Sequence, residues 1–169
     1  MARRKLIAVI GSGSLGADDP RWDLAHALGR ALVDARYRIL CGGRGGVMAA
    51  VASGGRSATR WVDGDILGVL PGSNGDAANE FVDVVLPTGI GHARNTIVAQ
   101  ADAVVAIGGG AGTLSELALA WIHGRPCLAF RCDGWSGRLA DTPIDASRPD
   151  VVHGLDTVDQ ALAALEELL

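Results

Sequence analysis

Lysine is almost missing from this chain of 169 residues. Lys5 is the only one, and it lies before the first apolar run, at the end of an open α/β sheet opposite to where ligands gather. Aromatic residues make up 4% of the chain and the formal net charge is −4. With no basic run and no interleaving of basic and aromatic residues, nucleic acid is not an expected partner. Cysteine is sparse: Cys41, Cys127 and Cys132 are odd in number, lack C-x-x-C spacing and form no Cys/His cluster, so no metal site is expected. Buried free thiols are the plain reading, with a ligand contact kept open for Cys41, which ends a strand beside a glycine turn. Long apolar runs are missing too. The basic start Met1 to Lys5 is followed by Leu6 to Ile10, too short for a signal-peptide core and stopped by glycine. The expectation is a cytoplasmic protein with no membrane partner.

What the chain does have is 24 glycines and a regular alternation of apolar runs with helical stretches. Leu6 to Ile10, Tyr37 to Cys41, Asp65 to Leu70, Phe81 to Leu86, Ala103 to Ile107 and Pro126 to Phe130 read as strands. Pro20 to Ala35 reads as a helix capped by Asp19 with Pro20 at its first position. Gly45 to Ser53, Gly91 to Ala101, Gly112 to His123 and Thr157 to Leu169 read as further helices, the last capped by Asp156 or Thr157. Arg131 to Asp156 is rich in turn residues and reads as irregular, with a short strand at Val151 and Val152. Strands so uniformly apolar are buried on both faces. The fold expected is α/β, a Rossmann-like doubly wound parallel sheet with helices on both faces, in a single domain over residues 1–169.

Three glycine-rich turns follow strands. Gly108-Gly-Gly-Ala-Gly-Thr-Leu-Ser-Glu116 joins a strand to a helix, which makes an anion site: glycines let a ligand approach, and the first helical N–H groups point at it. Thr113 and Glu116 also fit a capping box, a purely structural alternative. Gly11-Ser12-Gly13-Ser14-Leu15-Gly16 matches G-x-G-x-x-G formally. Its helix starts only at Pro20 and no acidic residue ends the second strand, so a dinucleotide is not predicted. Gly42-Gly43-Arg44-Gly45-Gly46 is the third turn, where Arg44 either reaches an anion or is a solvated surface residue. All three belong at the C-terminal edge of the sheet. The segment Gly89 to Asn95 faces the same edge. Arg94 in a first helical turn opposes the helix dipole, which points to a bound phosphate or Glu116 as its partner. Asn95 stands with it, and His92 is either a site residue or a capping one. The expected ligand-binding set is Gly11, Ser12, Gly13, Ser14, Gly42, Gly43, Arg44, Gly45, Arg94, Asn95, Gly108, Gly109, Gly110, Gly112, Thr113 and Glu116, around a phosphorylated small molecule.

Leu117 to Ile122 is apolar around its whole circumference. Insertions or a second copy must cover the outer face of such a helix. The short chain favours the second copy, hence a homodimer or homotetramer with this helix, including Trp121, at or near the interface.

Gly109 to Glu116, read as Gly-Gly-x-Gly-Thr-x-x-Glu, with His92-Ala-Arg94 and Gly42-Gly-Arg-Gly-Gly-Val-Met48 upstream, resembles the LOG (lonely guy) family of the SLOG superfamily. The resemblance runs from about Ile7 to Phe130. Members were long labelled as lysine decarboxylases, a label that Lys5 does not support, since pyridoxal phosphate needs a lysine in the site. The cytokinin-activating branch hydrolyses the N-glycosidic bond of N6-modified adenosine monophosphates without a cofactor. The resemblance implies that in such a hydrolase Arg94 and Glu116 are the catalytic pair, the carboxylate stabilising an oxocarbenium-like transition state or orienting water. Four positions depart from that branch: Gly108 stands for its proline, Gly91 for its methionine, Asn95 for its lysine and Ser115 for the first acid of its Glu-Glu pair. Those departures, the Gly42 turn and the short chain are more similar to the branch of molybdenum cofactor carrier proteins. That likeness implies binding of a pterin with a phosphate and an anionic dithiolene-metal head, with no reaction required. Carrier is preferred to phosphoribohydrolase, and a nucleotide is the alternative ligand.

Overall fold

The apolar runs form a parallel sheet because each can bury both faces beneath helices. In a computed structural model describing residues 3–16 and 18–169, seven strands are ordered β4-β3-β2-β1-β5-β6-β7, and every neighbouring pair is parallel. They are β1 Leu6–Gly11, β2 Arg38–Cys41, β3 Ile66–Leu70, β4 Val84–Pro87, β5 Ala103–Ile107, β6 Cys127–Phe130 and β7 His153–Leu155. Met1 and Ala2 of the basic start, and Ala17, lie outside the described residues. The period of two along β1 divides the core. Ile7 and Val9 join one apolar cluster, Ala8 and Ile10 the other, and β5 sends Val105 and Ile107 one way and Val104 and Ala106 the other.

The helices are α1 Pro20–Asp34, α2 Val47–Arg56, α3 Asn95–Val98, α4 Ala111–Ile122, α5 Trp135–Leu139 and α6 Val158–Leu168. Helices α1, α2 and α6 contribute to the first cluster, α3 and α4 to the second, so both faces of the sheet are covered. The fold is the expected Rossmann-like α/β class. Asp19 caps α1, accepting from Arg21 N at 3.0 Å, and Thr157 rather than Asp156 caps α6, accepting from Gln160 N at 3.2 Å. Among the described residues, no helix is long and apolar enough to cross a membrane.

Several expectations are corrected. The helix expected over Gly91 to Ala101 is a 3-10 turn, Gly91–Arg94, followed by four-residue α3; Gly91, at φ 57°, cannot open an α-helix. The helix expected from Gly45 starts at Val47, since Gly46 sits at φ 62°, and runs on to Arg56. The strand expected from Phe81 starts at Val84, after Asp83 accepts from Ile66 N and Trp61 Nε1. Segment 131–156 is not irregular throughout: it contains α5 and β7. Val152 does not join the sheet, because its N–H and C=O pair with Thr142 and Asp141, and β7 begins one residue later.

Trp121 is already covered within one chain. Its ring is 2% exposed, its Nε1 donates to Asp145 at 2.9 Å, and the Arg148 guanidinium lies 4.5 Å from the ring centre. The chain's own 145–148 stretch covers this part of α4, and Ile122 is the helix's exposed large apolar residue at 72%.

Two buried carboxylates fasten the edge of the sheet away from the glycine turns. Asp65 holds Arg4 and accepts from Val62 N, while Asp102 accepts from Leu6 N at 2.8 Å and from both Arg3 Nη atoms at 2.6 Å. The Arg3 hydrogen bonds hold the Asp102 carboxyl down at about 2. A depressed carboxyl stabilises the fold fully above the unfolded value of about 4, and that contribution is lost as pH falls through about 2. Asp102→Asn is therefore expected to lower Tm by a few degrees at pH 7, discounted because Arg3 is solvated, with the gap closing toward pH 2. Thermal unfolding across that range checks it; a gap independent of pH would contradict the assignment.

Candidate functional site

Strand β1 lies between β2 and β5, and the chain leaves it in opposite directions, which opens a crevice beyond its C-terminal end. A cavity of about 200 Å³ occupies that position. Gly11 enters from the end of β1 and Gly13 from the turn after it, Gly42 from the turn after β2, and Gly110, Gly112, Thr113 and Glu116 from the start of α4. Arg94 and Asn95 close it from the 3-10 turn and α3. Ile10, Met48 and His92 line it as well.

The turn before α4 is fixed by its backbone. Gly108 and Gly109 adopt φ 65° and 93°, a conformation glycine takes without strain. Gly108 N donates to Ser136 Oγ at 2.7 Å and Gly109 N to Ser12 Oγ at 3.0 Å; their carbonyls accept from Ser136 N and Trp135 N, both at 3.0 Å. Ser12 also accepts from Arg21 Nη1 at 3.3 Å, and Arg21 is clamped by Asp19. The N–H groups of Gly108 and Gly109 are thus already used, and neither residue lines the cavity. Those of Ala111, Gly112 and Thr113 come before the first in-helix bond, Leu114 N to Gly110 O at 3.0 Å. They are the donors that remain for an anion.

No capping box forms. Gly110 is the N-cap of α4, which puts Thr113 and Glu116 inside the helix. Glu116 Oε1 instead accepts from Arg94 Nη1 at 2.6 Å, so of the partners foreseen for Arg94 the structure supplies Glu116. Both side chains are largely buried, and Arg94 Nε has no partner. Burial pushes the Glu116 carboxyl up, against the pull of Arg94. Gly42 makes room for the pair: a Cβ there would stand 2.8 Å from Arg94 Nη2 and 2.6 Å from Met48 Sδ. Because the pair is neutral as a unit, attraction for an anion comes from the α4 terminus.

The remaining foreseen residues lie around the cavity rather than in it. Ser12 acts from behind through Gly109. Ser14 and Arg44 are exposed, and Arg44 makes no ion pair among the described residues; Asn79 ties its turn through Gly43 O and Arg44 O. Gly43, at φ 74°, packs toward Leu70, and Gly45 lies behind Gly13. Cys41 is buried beneath the turn, its thiol pushed up to about 11 by burial, and does not line the cavity. Sequence reasoning passed over Ile10 and Met48, whose apolar character marks them as core, and Arg21 and Ser136, whose roles exist only once distant segments meet.

The SLOG cluster4 family model matches residues 4–161. The chain belongs to that family. A cytokinin riboside 5'-monophosphate phosphoribohydrolase of Arabidopsis thaliana is 32% identical over 82% of the chain, which spans 66% of that enzyme's length. The molybdenum cofactor binding protein of Rippkaea orientalis superposes with a TM-score of 0.85 at 28% identity, covering 99% of each chain. The molybdenum cofactor carrier protein of Chlamydomonas reinhardtii gives 0.81 at 30% identity and covers 98% of each. This SLOG protein is therefore LOG-like in sequence and shares its fold with cofactor carriers.

A Cβ built at Gly110 meets no atom within 4 Å, so a side chain there enters the cleft without disturbing the fold. Gly110→Val is expected to weaken ribose 5-phosphate binding at least about tenfold with little change in Tm. Calorimetry on the folded variant checks this, and unchanged affinity would contradict the placement.

Proposed function

We propose that this protein is a carrier that holds a phosphate-bearing small molecule in the cleft at the β1/β5 switch point, with a molybdenum cofactor as cargo. The observation that carries the reading is the division of labour in the cleft. Backbone N–H groups at the start of α4 are free for an anion, while the two buried charges, Arg94 and Glu116, neutralise each other at 2.6 Å. A carboxylate so compensated is a poor stabiliser of developing positive charge, which argues for holding a ligand rather than cleaving it. Gly110 and Gly112 open onto unfilled space, a cradle suited to a phosphate group. Gly11, Gly13, Gly42 and Thr113 complete its wall. The near-complete mutual coverage with the two cofactor-binding proteins supports the same reading for residues 1–169 as one LOG-like domain.

The second reading is a nucleoside 5'-monophosphate phosphoribohydrolase. It is favoured by the same ion pair: a ligand phosphate that drew Arg94 away, through its unpartnered Nε, would leave Glu116 charged beside the sugar. The likeness to the plant enzyme supports it too. Neither reading requires pyridoxal phosphate.

The two readings separate in one assay. As a carrier, the wild type releases neither free base nor ribose 5-phosphate from adenosine monophosphate or its N6-substituted forms, and Glu116→Gln costs only stability, about 1–3 kcal/mol, by leaving Arg94 unpaired. Chromatographic detection of both products, falling about 100-fold or more in Glu116→Gln, would overturn the carrier reading and establish the hydrolase.

A further inference from the structure

Two chemically different sets of residues line the cleft. Gly13, Gly110 and Gly112, from the turn after β1 and the start of α4, offer backbone, whereas Arg94, Asn95 and Glu116, from the 3-10 turn, α3 and the second turn of α4, carry polar side chains. Asn95 is 3% exposed, and it lines the cleft. Its Nδ2 donates to Ser115 Oγ at 3.4 Å, and among the described residues its Oδ1 has no hydrogen-bond partner. Turning the amide over exchanges the roles, with Ser115 Oγ donating to Oδ1 and Nδ2 left free. In either orientation half of the carboxamide is tethered to α4 and the other half awaits a partner. The free half opens onto the cleft that Asn95 lines, where a group of the ligand can take it up.

That group is not the phosphate. Ser115 stands two residues beyond Thr113 and four beyond Ala111, about 3 to 6 Å along the helix from the free N–H groups. A ligand anchored by its phosphate at the glycine backbone would bring its ring to the α3–α4 side chains. A carboxamide offers a donor and an acceptor side by side, the complement of the adjacent acceptor and donor on a purine or pterin edge.

We infer that Asn95, tethered by Ser115, is a specificity-determining residue that reads the hydrogen-bonding edge of the ligand's nitrogen heterocycle. This rests on the anion-cradle reading of the cleft, and the test separates the two. Calorimetry on the full chain uses AMP, GMP and ribose 5-phosphate as probes. At least one nucleotide is expected to bind about tenfold or more tightly than ribose 5-phosphate. Asn95→Leu, close in volume, should bring it within about threefold of ribose 5-phosphate, whose own affinity stays unchanged. Ser115→Ala keeps the amide but removes its tether, and should reduce the ring preference about threefold; it decides the matter if Asn95→Leu does not fold. Ribose 5-phosphate bound as tightly as both nucleotides, or a ring preference unaltered in the deciding variant, overturns this inference and leaves the cradle standing. Failure of the wild type to bind ribose 5-phosphate overturns the cradle and this inference with it.

Discussion

The clamp on Gly108 and Gly109 is the constraint on which the site depends. Ser12 after β1 and Ser136 in α5 each take one N–H of the turn, while the backbone of Trp135 and Ser136 takes both carbonyls. Four hydrogen bonds from segments far apart in sequence fix a turn of two glycines at positive φ. The direction of α4, and with it the aim of its first N–H groups, follows from that clamp. Without it the glycines would carry more freedom than any other pair in the loop, and the donors would have no fixed target.

The sheet order explains why the clamp and the cleft coincide. Placing β1 between β2 and β5 brings the turns after all three strands to one edge, and β6 next to β5 delivers α5 behind them. The opposite edge carries the buried Asp65 and Asp102, which fasten the first residues of the chain. The carboxylates that fasten the start of the chain thus lie at one end of the strands and the binding backbone at the other. Within the cleft the only buried ion pair, among the described residues, is Arg94 with Glu116, so its polarity is set by the helix terminus and by Asn95.

Much of this was legible in the chain. Apolar runs buried on both faces announce parallel strands, and a glycine turn between strand and helix announces an anion site, because those are local consequences of covalent chemistry. Arg94 was also legible, since its position against a helix dipole demanded a partner. What sequence could not show is pairing between distant segments. Thr113 and Glu116 have capping-box spacing, yet the helix starts at Gly110 and the carboxylate crosses to another element. Trp121 belonged to a helix apolar all round, and only the fold reveals that Asp145 and Arg148 cover it. Asn95 and Ser115 were two separate departures from the hydrolase pattern, but in three dimensions they touch.

The central claim is that free backbone amides at the start of α4 hold the ligand's phosphate. Amide NMR of the labelled chain titrated with inorganic phosphate tests it most directly. The account predicts that the largest shift changes fall on Ala111, Gly112 and Thr113, with smaller ones at Gly13 and little change at Gly108 and Gly109, whose N–H groups are already bonded. Largest changes in the 131–138 loop, or no saturable change in these amides, would contradict it.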